Sequence, residues 1–121
     1  MKTTSYEISK QLLEAGFKAE TDFYWAKWNE GDPELVHAKD GTPSLIEKVL
    51  AWDLETILEA LPESVKFHNK WAWFEMDKNF IIYEFTDEDN TCLFDFHKKE
   101  NESLADTAAR LWLELKKKKI I

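Results

Sequence analysis

Three histidines, His37, His68 and His97, together with Asp95, are the residue types in this chain that best suit a transition metal. Asp95 and His97 stand two apart in a strand-like segment and so share a face, and a neighbouring strand would set His68 beside them. That gives the sharpest catalytic hypothesis available, a metal-dependent enzyme with His68, Asp95 and His97 as ligands. Against it, partly exposed strand histidines are ordinary. Cys92 falls in phase with Phe94 and Phe96, the position of a buried, inert thiol rather than a nucleophile. The acidic turn from Asp87 to Asp89 lacks the glycine and closing glutamate of a calcium loop and reads as a solvated hairpin tip. Gly16, Gly31 and Gly41 lie too far apart for a phosphate-cradling loop. No serine sits in a nucleophile elbow, and one cysteine leaves no pair for zinc. The chain therefore reads as a non-enzyme without a resident cofactor.

Tryptophan is the other residue type with something to offer. Trp71 and Trp73 would share one strand face, with Phe67 further along it and Trp25 nearby on an earlier strand. Left open, these rings form a stacking platform for a sugar, a base or a peptide; covered by helices, they are core. Core is the preferred reading, because three amphipathic helices need a large apolar sheet face to cover. Phe74 and Met76 then fall on the opposite face, and that surplus of large side chains predicts self-association or docking on another protein.

Positioning these residues requires the following elements. Thr4 and Glu7 have capping-box spacing, Ile8, Leu12 and Ala15 share a helical face, and Gly16 suits a left-handed close, predicting a helix over about residues 5–15. The aromatic run 21–28 suits a strand, and a short strand around 35–38 could return antiparallel beside it. Residues 44–50 fit either a helical turn or an extended lead-in. Asp53 is a good N-cap, Trp52 and Ile57 have the spacing of a hydrophobic staple, and Pro62 stops a helix over about 54–61. Segments 65–76, 79–86 and 91–97 read as a three-stranded meander. Ile81, Tyr83 and Phe85 would share one face of its middle strand, and Cys92, Phe94 and Phe96 one face of its last. Ser103 with Asp106 opens a final helix over 104–118, whose stripe is Leu104, Ala108, Leu111, Trp112 and Leu115.

These elements fit one α+β domain over residues 1–121, an antiparallel sheet with an N-terminal strand or hairpin packed against about three helices. Composition supports an ordered fold: 44% of the residues are hydrophobic, 14% aromatic and six are Trp, too rich in apolar bulk for a disordered acidic chain. No apolar run reaches the ~20 residues of a membrane span and the N-terminus lacks a secretory pattern, so a cytoplasmic protein is expected. The net charge of −8 disfavours nucleic acid and anionic membranes as partners. The basic run from Lys116 to Lys119 reads as a solvated helix end that complements the helix dipole.

Four stretches carry a family resemblance: Leu12-Leu13-Glu14-Ala15-Gly16-Phe17, Thr21-Asp22-Phe23-Tyr24-Trp25, Leu58-Glu59-Ala60-Leu61-Pro62, and Leu104-Ala105-Asp106 leading to Leu111-Trp112-Leu113. Together they resemble small uncharacterised proteins encoded by bacteriophages and prophages of gut Bacteroidetes. Such sequences often place Asn-Pro at the start of the last helix, where this chain has Ser103-Leu104. The matching residues are caps, stoppers and core positions, so the resemblance implies no catalytic or ligand residue. The expected function is that of a phage- or mobile-element-related accessory protein acting through protein contacts. Its acidic body points to a basic partner, one version being a mimic of nucleic-acid charge. The alternative is a small-ligand module using Trp71, Trp73 and Trp25, and the metal enzyme comes third.

Overall fold

Ser5, Asp53 and Ser103 each start a helix by the same device, a side-chain oxygen accepting from a backbone N–H three residues on. The partners are the N–H groups of Ile8 at 3.3 Å, Thr56 at 2.9 Å and Asp106 at 3.1 Å. The helices that follow are α1 (Tyr6–Glu14), α2 (Leu54–Ala60) and α3 (Leu104–Lys117). The structure is a computed structural model describing residues 3–28, 30–37, 47–67, 69–85 and 92–121, with Cys92 and Leu93 described by their backbone alone. His68, the acidic turn 87–89 and the turn around Gly41 lie outside the described residues.

Helix α1 is capped by Ser5, one residue later than the expected Thr4–Glu7 box. Thr4 is instead fully buried: its hydroxyl meets the Ser9 hydroxyl at 2.7 Å and accepts from the Trp52 N–H at 3.2 Å. The close of α1 is as expected, with Gly16 at φ +90. There the Phe17 N–H donates to the Leu12 carbonyl at 2.9 Å and the Gly16 N–H to that of Leu13 at 3.1 Å, which is a Schellman motif. Helix α3 closes the same way with Lys119 at φ 59 in the left-handed position, and the Ile120 N–H donates to Leu115 O at 2.9 Å.

The strands form two antiparallel sheets. The N-terminal hairpin of β1 (Phe23–Lys27) and β2 (Glu34–His37) gains a third member, β3 (Glu47–Ala51), in the order β2-β1-β3. The segment that fitted two conformations is thus extended over residues 47–51. The meander has four strands rather than three: β4 (Ser64–Phe67), β5 (Lys70–Met76), β6 (Phe80–Phe85) and β7 (Cys92–His97), in that spatial order. The long strand expected over 65–76 is cut by a tight turn in which Asn69 takes φ 64, a conformation that asparagine tolerates better than most residues.

The helices meet both sheets, α1 packing on β3 and α3 on β6 and β7, while α1 and α2 both pack on α3. One core cluster runs from Leu12 and Phe17 through Trp52, Ile57, Val65, Ala72 and Tyr83 to Leu111, Trp112 and Leu115. Phe17 sits at its centre, edge-on to Trp52 at 4.8 Å and to Trp112 at 5.0 Å. Trp52 and Ile57, the expected staple of α2, are both fully buried. Among the described residues no helix is long and apolar enough to cross a membrane.

Candidate functional site

Strand β5 has large side chains on both faces, and the register decides which face is covered. Ala72, paired with Val65 on one side and Phe85 on the other, is fully buried, and Phe74 packs beside Tyr83 with ring centroids 5.7 Å apart. The core row of β5 is therefore Ala72 and Phe74, and Trp71 and Trp73 must point the other way. They do so with 51% and 49% of their surface exposed, which corrects the expectation that these two rings are core. Phe67 does not join them: across the turn it shares the face of Val65 and Ala72, and its ring approaches Phe94 at 6.1 Å. Met76, in phase with Ala72 and Phe74, is 36% exposed at the end of its strand.

The outer face around the two tryptophans is built from three strands. On β4, Ser64 stands opposite Trp73 and Lys66 opposite Trp71, with the Lys66 ammonium 6.0 Å from the Trp71 ring centroid. On β6, Glu84 stands opposite Trp73 and Ile82 opposite Glu75. Glu75 and Glu84 are diagonal neighbours on this face, and the neighbouring Glu75 carboxyl, which favours a shared proton and repels a second negative charge, pushes the Glu84 carboxyl above its ordinary value. Ile82 lies between these polar groups, only 7% exposed.

Strand β7 completes the face. A bulge interrupts its pairing with β6, where Ile81 pairs with Phe96 but Tyr83 with Leu93, and Phe94 takes φ 53. The simple alternation expected for Cys92, Phe94 and Phe96 is broken there, and the Cys92 backbone pairs with Glu84. Phe96 packs against the core, so Asp95 and His97 stand on the outer side. They are brought together as expected: the His97 Nε2 and an Asp95 carboxylate oxygen lie 2.9 Å apart, both well exposed. His68, the third residue of that expected site, lies outside the described residues. Among the described residues no three His, Cys, Asp or Glu side chains gather as metal ligands.

Trp25 belongs to the other sheet. Its indole N–H donates to the Thr4 carbonyl at 2.9 Å, tying β1 to the start of α1, and its ring borders a separate recess of about 330 Å³ with Leu35 and Asp106. The platform expected from Trp25, Trp71 and Trp73 thus reduces to the last two.

The starts of α2 and α3 enclose a further cavity of about 480 Å³, walled by Leu54, Leu104 and Ala105 with Lys78 and Lys98 also in its lining. The Asp53 carboxylate that borders it is engaged in capping α2. Neither this cavity nor the carboxyl pair was read from the sequence. The signal for the pair was present, since Glu75 lies in phase with Trp71 and Trp73 and marks their row as the wet one.

No protein-family model matches the chain, and no curated protein or solved structure is found similar to it.

Proposed function

We propose that the chain is a non-enzymatic accessory module that works through protein contacts, and that its contact surface is the outer face of the four-stranded sheet. The observation that supports this reading is the exposure of Trp71 and Trp73 side by side, roughly 7 Å apart along one strand, with polar groups on the flanking strands. Large rings surrounded by charged groups are the composition of binding hot spots, and leaving them in water forfeits their hydrophobic stabilisation. The phage or mobile-element setting suggested by the resemblance is part of this proposal, as is a partner of basic character. Sedimentation and affinity capture with the unaltered chain and with W71A/W73A test it. The double variant should lose self-association or partner capture while its far-UV circular dichroism is unchanged; equal behaviour of the two proteins would reject the reading.

A second reading uses the same residues as a stacking platform for a sugar or a base, supported by the open faces of the two indoles. It predicts that tryptophan emission responds to saccharides or nucleotides in the unaltered chain and not in W71A/W73A. A flat response across such a panel would dismiss it.

A further inference from the structure

The outer face of the four-stranded sheet carries a specific charge arrangement beside its tryptophans. Glu75 and Glu84 are diagonal neighbours on this face of adjacent strands, and Trp73 is both the register partner of Glu84 and two residues from Glu75. Asp95 adds a third carboxylate on the same side, engaged by His97. Lys66, on the same face of β4, stands opposite Trp71 and lies over that ring. Two carboxyl groups pressed together are relieved by any cation that can reach both, and the indole beside them offers a flat surface for that cation to lie on.

We propose that this face receives an arginine side chain from a basic segment of a partner protein, its guanidinium stacked on Trp73 and bonded to Glu75 and Glu84. Arginine fits better than lysine for geometric reasons. Its planar group stacks on an indole and presents paired N–H donors to carboxylates at once, while an ammonium is a compact, strongly hydrated point charge. The raised Glu84 carboxyl accords with a site that gains from an incoming positive charge. The net charge of −8 favours the approach of such a segment at low salt. Lys66 over Trp71 shows the same cation–ring contact made within the chain, one row along.

This inference rests on reading the sheet face as a protein-contact surface, and its test separates the two. A short peptide alternating arginine and glycine is titrated into the full chain, followed by tryptophan emission, alongside its lysine and citrulline counterparts. Saturable binding of the arginine peptide is expected, with the lysine peptide about tenfold weaker and the citrulline peptide not bound. E75Q/E84Q, which keeps the shape of both side chains, should weaken arginine-peptide binding by about tenfold or more with unchanged circular dichroism. Equal affinity for the arginine and lysine peptides, or unchanged binding by E75Q/E84Q, would overturn the arginine assignment. If no peptide binds but the chain sediments as a dimer that W71A/W73A renders monomeric, the occupant is a second copy, and the contact surface stands without the arginine. Undiminished arginine-peptide binding by W71A/W73A would overturn both.

Discussion

Individual side chains divide by what surrounds them, and tryptophan shows it most clearly. Trp52 is fully buried, edge-on to Phe17, and its indole N–H donates to the Ala19 carbonyl at 2.8 Å. Trp52→Ala should therefore cost about 3–5 kcal/mol, whereas Trp71→Ala and Trp73→Ala should each cost under about 1 kcal/mol, as urea midpoints would show. Glu102 is a second contrast. Burial alone would push its carboxyl up, but hydrogen bonds from the Arg110 guanidinium, the Lys99 N–H and the Thr107 hydroxyl outweigh it and hold the group at about 2. With the folded value depressed, the contribution is complete above the unfolded value of about 4.3 and is lost as pH falls toward about 2. Glu102→Gln should accordingly be less stable than the unaltered chain near neutrality, and the gap between their urea midpoints should narrow as the pH is lowered through that window. The same arginine donates to the His97 carbonyl at 3.0 Å and lies over the Phe96 ring, so it also fastens the end of β7 to α3.

Between elements, the junction of the three helix starts is the part of the design that local rules do not reveal. Thr3 bridges to Asp53, the Thr4 N–H donates to the Trp52 carbonyl at 2.8 Å, and the Ser5 N–H donates to the Asp106 carboxylate at 2.7 Å. Asp106 was expected to complete the box of its own helix; it serves instead to satisfy the start of α1, and burial pushes its carboxyl up despite that bond. Asp106→Asn keeps an acceptor for the Ser5 N–H and should change stability little, while Asp106→Ala strands that donor and should cost roughly 1–3 kcal/mol in thermal or urea unfolding. At the far end of α3, Lys119→Gly should raise stability by roughly 1 kcal/mol by relieving a left-handed lysine, and an unchanged midpoint would count against that strain. Caps and stoppers were legible because they act over three or four residues: Asp53, Ser103, Gly16 and Pro62 all fall at or beside the predicted boundaries. The split of the long strand at Asn69 and the bulge at Phe94 were not, since each depends on a partner strand that supplies the register.

Taken as a molecule, the chain has more large rings than its core accepts. The α+β class followed from periodicity and turn residues, but the division into two sheets around a shared helix layer required contacts far apart in sequence. Which face of β5 is covered was likewise a tertiary question: two apolar rows compete, and the small Ala72 wins because α3 and its neighbours fill the space above it while Glu75 holds the other row in water. The functional reading depends on that choice of face. The most direct trial places a photo-crosslinking amino acid at the position of Trp73 in the otherwise unaltered chain, with a control at Leu13, an exposed apolar residue on α1. Illumination in the cell that makes the protein should yield a discrete crosslinked protein species from position 73 and none from position 13. No product from position 73, or the same diffuse products from both, would contradict the account.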